Sequence, residues 1–153
     1  RCCMAEIVAV CASYRRSDPK VDQGAGELVA GYGLVGDAHA GYSEREVSLL
    51  GIESVYKVNR EKGISAGPGC FAENLTTEGL DLLGLELGDR LQVGEQIVLE
   101  VIQIGKPPSD RHTYSYQGVS ILPHRGVFCR VLRGGHVACG DRIAVTKRAA
   151  PCE

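Results

Sequence analysis

The chain has 153 residues, enough for one domain that buries roughly 68–70% of its unfolded surface and folds without disulfide or metal staples. Hydrophobic residues make up 44% and charged residues 24%, and the net charge of −2 is spread along the chain. That mix is ordinary for a globular protein and excludes the basic stripe of a nucleic-acid binder. No apolar run is long enough to span a bilayer, and no signal peptide with an apolar h-region is present, so the expected setting is the cytoplasm, away from membranes.

The sole methionine, Met4, is expected to be the natural start. Residues 1–3 are then a remnant from upstream, residues 4–147 the folded domain and 148–153 a tail. Seven cysteines are scattered at positions 2, 3, 11, 70, 129, 139 and 152, with no C-x-x-C pair and no paired histidines. This spacing argues against a zinc finger or a redox dithiol and in favour of reduced thiols.

Twenty glycines and short apolar runs between turns predict many brief strands. The first covers Glu6–Ala12, where Cys11 is expected to be a buried structural thiol. Next comes GYGLVGDAHAG, residues 31–41, followed by Arg45. Its glycines permit positive φ and close approach to a ligand, and Asp37 and His39 would share a face on an extended segment. A carboxylate beside an imidazole fixes the ring's tautomer or raises its basicity, although a tight loop with surface polar residues accounts for the same string. GYGLVG also fits G-x-G-x-x-G, but no apolar helix follows it, so dinucleotide binding is not expected.

Leu49, Ile52, Val55, Tyr56 and Asn59 recur at helical spacing and predict a helix over Ser48–Lys62, capped by Ser48 and ended by Gly63. The alternative is a strand end over Arg45–Leu50. Then GPGCFAENLTT, residues 67–77, sets Glu73, Asn74, Thr76 and Thr77 behind a Gly-Pro-Gly turn. Asn and Thr supply neutral donors and acceptors to a heterocycle or phosphate, and Glu orients a basic partner; a polar strand edge reads the same way.

A short second helix is expected over Asp81–Leu85, then a strand over Gln96–Ile104 with Ile97, Leu99, Val101 and Gln103 on one face. That strand leads into QIGKPPSDR, where Lys106 sits at a loop mouth fit to meet an anion. His124-Arg125-Gly126 enters the next strand, Gly126–Leu132, with Arg125 the better anion ligand and Arg130 an ion-pair partner. Cys129 is a second buried thiol, and Arg142–Val145 forms the last strand. With no linker, charge block or internal repeat, the economical fold is one mainly β, barrel-like domain with one or two short helices.

In this order, GLVGDAHAG with Arg45, VSLL, PGCFAENLTTEGLDL, LGDRLQVGE, LEVIQIGKP and RGVFCRVLRGG with CGD resemble the MOSC domain, the C-terminal module of molybdenum cofactor sulfurase, over essentially Met4–Lys147. The short stand-alone members are the most similar. The resemblance implies a β-barrel related to that of pyruvate kinase, and a role in carrying sulfur or in holding the pterin molybdenum cofactor (molybdopterin). It also implies a maturation protein for molybdenum enzymes as a partner. Family members often carry a cysteine just after Gly-Lys, as persulfide carrier or metal ligand. Here Pro107 and Pro108 follow Lys106, and no cysteine comes before Cys129. Three readings stay open. Cys70 takes over the thiol role as a catalytic nucleophile in a small sulfurtransferase or reductase. Alternatively, Asp37, His39, Arg45, Glu73, Asn74, Thr76, Lys106 and Arg125 bind cofactor or oxyanion without covalent sulfur. Or the domain is a non-catalytic interaction module.

Overall fold

A computed structural model of the protein describes residues 4–105 and 115–148. The first strand, β1 (Glu6–Ala12), falls where the sequence places it, and β2 (Val21–Asp22) folds back against it. β3 (Ala25–Val29) and β4 (Gly33–Leu34) follow, then β5 (Val47–Gly51), helix α1 (Ile52–Lys62) and β6 (Leu75–Glu78). A 3-10 turn at Leu82–Gly84, with Asp81 at its N-cap, stands where the second helix is expected. The remainder is β7 (Arg90–Val93), β8 (Ile97–Ile104), the single-turn helix α2 (Leu122–Arg125), β9 (Val127–Arg133), β10 (Gly135–Ala138) and β11 (Ile143–Lys147).

Eight strands form one curled sheet in the order β11-β7-β8-β9-β5-β6-β1-β2, and β10-β3-β4 form a smaller one. The β11 end of the large sheet meets β1, the strand next to β2 at the other end. Ile7 N–H donates to the Asp141 carbonyl at 2.7 Å, Gly140 N–H to the Ile7 carbonyl at 2.7 Å, and Glu6 bridges Arg142. The curl thus closes between β1 and the start of β11, which leaves few bare strand edges. Most pairings are antiparallel, but β5 and β6 run parallel, and α1 is the crossover such a pair requires.

The barrel interior holds Ile7, Val10, Leu49, Leu75, Leu91, Leu99, Val127, Cys129 and their neighbours. A second apolar cluster lies under α1, built from Ile52, Val55, Val58, Phe71, Leu122 and Phe128. Tyr116 meets Phe71 edge-on, ring centroids 5.9 Å apart, which gives that tyrosine a core role; Tyr114 lies outside the described residues. A register shift between Ile7 and Ala9 changes the parity of β1. Ile7 and Val10 therefore both face the barrel, and Cys11 is turned away from that core, with Glu73 and Thr76 near enough to act on its thiol.

Two expectations for the middle of the chain need correction. Ser48 caps no helix: residues 47–51 form a fully buried strand, and α1 begins at Ile52 behind Gly51. Five consecutive buried residues in an interior strand carry no period, so helical spacing alone does not separate this strand from the first turn of α1. The apolar face of α1 is Ile52, Val55 and Val58, while Tyr56 is half exposed and Asn59 ties the loop, bonding Ala66 N–H and carbonyl at 2.9 Å each. Gly63 ends the helix in the left-handed region as its position predicts.

The segment 67–72 is the tightest part of the fold. Gly69 has φ +85°, and a Cβ there would collide with the Lys20 carbonyl. Lys20 N–H donates to the Gly69 carbonyl at 2.9 Å, so the two backbones lie in direct contact. Ala72 also takes a positive φ of 69° immediately before Glu73. Gly69→Ala is expected to cost about 2 kcal/mol or more, since it adds left-handed strain to a backbone collision. Gly67→Ala meets open space and is expected to be near neutral. Urea unfolding of both variants checks the contrast.

Candidate functional site

At one end of β1 the chain gathers polar groups that water does not reach. Lys20 is 3% exposed and Asp37 6%. The Lys20 ammonium donates to Asp37 Oδ1 at 2.6 Å and to Ser13 Oγ at 3.3 Å, and lies 3.0 Å from His39 Nδ1. An ammonium has three donors and no acceptor, so all three are spent here. His39 Nδ1 must therefore accept, which makes the imidazole neutral with its proton on Nε2. Of these side chains only His39 reaches solvent, and it is half buried.

Asp37 and His39 do come together, though not as an extended pair. Residues 38–42 are a turn, and the Asp37 carboxylate takes the His39 backbone N–H at 3.3 Å, while Lys20 stands between carboxylate and ring. The glycines of 31–41 make that turn possible, and GYGLVG leads into it and not directly into a helix. Burial pushes the Asp37 carboxyl up, but Lys20's hydrogen bond and charge, Ser13 N–H and the Asn74 amide outweigh it and hold it below the usual carboxylate range.

Asn74 is the hub beneath. Its Nδ2 donates to the Cys11 carbonyl at 3.1 Å and to Asp37 Oδ2 at 3.2 Å. Its Oδ1 accepts from Ser48 N–H at 3.1 Å and from Ser48 Oγ at 3.3 Å. Both donors and both lone pairs of the amide are thus committed to β1, β5 and the Asp37 turn. One side chain ties three segments distant in sequence.

Glu73 points the other way, into complete burial. Its Oε2 accepts from Gly69 N–H at 2.9 Å and Thr76 Oγ1 at 2.6 Å, while Oε1 and the buried Thr77 hydroxyl meet no hydrogen-bond partner of standard geometry among the described residues. Desolvation raises its pKa against the opposing hydrogen bonds of Gly69 and Thr76. Desolvation, with the Glu73 charge next, also holds the Cys11 thiol well above its ordinary value; Cys129 is raised chiefly by burial. Both remain protonated thiols at neutral pH.

The other expected residues scatter. Cys70 is half buried, its Sγ accepting Gly67 N–H at 3.3 Å, and it packs against the cluster under α1. Arg45 lies over the Phe128 ring at 5.7 Å. Arg130 pairs with Glu100 at 2.6 Å, the ion-pair role expected of it. Arg125 lines a cleft beside α1 that includes none of the Lys20 cluster. Lys106 lies outside the described residues.

The decisive comparison is with the family. The model of the MOSC domain matches residues 36–144. The chain belongs to the MOSC domain family. Among solved structures it is similar to the YuaD protein of Bacillus subtilis, with TM-score 0.72, 21% identity, and coverage of 92% of this chain and 94% of that one. YiiM of Geobacillus stearothermophilus gives TM-score 0.70 at 19% identity, covering 94% and 76%. YiiM of Escherichia coli gives 0.62 at 21%, covering 96% and 70%. At such identities the likeness is one of fold. No curated protein matches the sequence at a significant level.

Sequence reasoning missed Lys20, Ser13 and Ser48 in this MOSC domain. Lys20 sits in RRSDPKVDQG, a run that reads as a solvated charged loop. Only the short β2 pairing and the contact with Gly69 draw it inside. The titration of Glu73 gives a test of the interior. Its folded pKa exceeds its unfolded one, so its favourable contribution is complete below the ordinary glutamate value of about 4.3 and is lost as pH rises through the folded value. Glu73→Gln removes that dependence. Its stability relative to the parent is expected to improve from about pH 4 upward and to level off once pH exceeds the folded Glu73 value, as urea unfolding at a series of pH values will show.

Proposed function

We propose that this MOSC domain binds the pterin molybdenum cofactor, or a related oxyanion, against the half-exposed His39, with Lys20, Asp37 and Asn74 as positioning residues. The observation that carries this reading is the buried ammonium whose three donors go to Asp37, Ser13 and His39. It sets a neutral imidazole, of fixed tautomer and orientation, at the edge of an otherwise dry cluster. A polar ring held beside a buried charge suits the recognition of a pterin edge or an oxyanion.

The donor chemistry fits the organic and anionic parts of the cofactor better than the metal. No group of three His, Cys, Asp or Glu side chains is placed to hold a metal ion among the described residues, and Cys11 and Cys129 are buried protonated thiols. When bound, the cofactor supplies a molybdenum centre for atom or sulfur transfer. The protein's part is to bind and orient it. The described cysteines are all free thiols, in keeping with a reducing cytoplasm, and no helix of the described residues is long and apolar enough to cross a membrane.

A second reading has one observation in its favour. Cys70 is only half buried and its Sγ is held by the Gly67 N–H at 3.3 Å, so the residue keeps the access that a sulfurtransferase nucleophile requires. Cofactor content separates the two. Purified from a host that makes molybdenum cofactor, the protein is expected to carry near-stoichiometric pterin, measured by fluorescence after oxidation, and His39→Ala to carry at least tenfold less. A folded protein without pterin, or full retention in His39→Ala, contradicts the proposal. Rapid alkylation of Cys70 in such a pterin-free protein favours sulfur handling, and resistance to it favours a non-catalytic partner module.

A further inference from the structure

A cleft of about 490 Å³ opens between α1 and residues 118–125, and it shares no lining residue with the Lys20 cluster. Four basic side chains converge on it: Lys57 and Lys62 from α1, and His124 and Arg125 from α2. Against them, among the described residues, stands the carboxylate of Glu61. Among the described lining residues, Lys57, Lys62 and Arg125 minus Glu61 leave two net positive charges in a chain whose total is −2, before His124 is counted. Lys62 closes the last turn of α1, where positive charge also favours the helix dipole. Lys57 lies mid-helix, so that effect does not explain its place in the cleft.

The cleft is not only charged. Val58 and Ile121, both nearly buried, and Val119 give it apolar wall. Its volume is several times what one phosphate fills and lies in the range of small-molecule sites. Cations around an apolar cavity recognise an anion carried on an organic body, since the charge anchors at the rim and the body displaces water from the wall. We propose that this cleft binds a phosphate monoester of a small organic molecule, with Arg125, Lys57 and Lys62 on the phosphate and Val58 and Ile121 against the organic part. The inference does not rest on His39 or on the cofactor reading.

Calorimetric titration of the full chain with phenyl phosphate, inorganic phosphate and phenol tests it. Saturable binding of phenyl phosphate is expected, with inorganic phosphate at least tenfold weaker and phenol without measurable binding. The double variant Lys57→Gln/Arg125→Gln should raise the Kd at least tenfold. The two side chains are exposed and half exposed, so folding should survive, and a thermal melt verifies it. Affinity in the unaltered protein should fall with added sodium chloride, which tests the charge without any substitution. His39→Ala should bind phenyl phosphate as the parent does. Absence of saturation, equal affinity for inorganic phosphate, insensitivity to salt, or equal binding by a folded double variant overturns the proposal. Loss in His39→Ala does so too, by moving the anion to the other site.

Discussion

A lysine ammonium almost wholly withdrawn from water is the constraint around which this end of the barrel is arranged. Taking such a charge out of water costs several kcal/mol, and it persists only where partners answer every proton. Lys20 meets that requirement with a carboxylate, a hydroxyl and an imidazole. The carboxylate in turn is held by Ser13 N–H and the Asn74 amide. Each member is buried because the others are, so the group behaves as one unit, and removing one charge strands its partner. The outcome for chemistry is a single imidazole held in one tautomer at the edge of the cluster.

The backbone that delivers these side chains is equally constrained. Gly69 lies against the Lys20 carbonyl, and the left-handed Ala72 sends Glu73 inward and Asn74 towards Asp37. Asn74 also ties β1 to β5, two strands separated in the sheet by β6. The closure of the curled sheet between β1 and β11 keeps β1 from shifting, and the register change within β1 directs Cys11 towards Glu73 instead of the barrel. Fold and site are therefore joined through a few contacts, most of them to backbone atoms.

The sequence carried much of this, unevenly. β1, β8 and β9 were legible because alternating or continuous apolar runs between turns have few other solutions. The glycine-rich turn at 31–41 and the segment 67–77 were recognisable as polar strings held by glycines, and they do meet through Asp37 and Asn74. The two-residue strands β2 and β4 were not legible, since pairs that short have no period. Lys20 was hidden for a different reason: a buried lysine differs from a solvated one only in its tertiary partners, and those lie 7 to 19 residues away. The inward course of Glu73 follows from the Ala72 backbone, which residue type does not reveal.

The central claim is that Lys20 donates to His39 Nδ1 and fixes a neutral ring with its proton on Nε2. Nitrogen-15 NMR of the histidine side chains measures this directly, with His39 assigned by comparison with His39→Ala. The account predicts that at neutral pH His39 shows an unprotonated Nδ1 and a protonated Nε2, and that Lys20→Met abolishes this fixed state. An imidazolium, or a ring protonated on Nδ1, would contradict it, because Lys20 would then have no acceptor there and the cluster would have to be arranged otherwise.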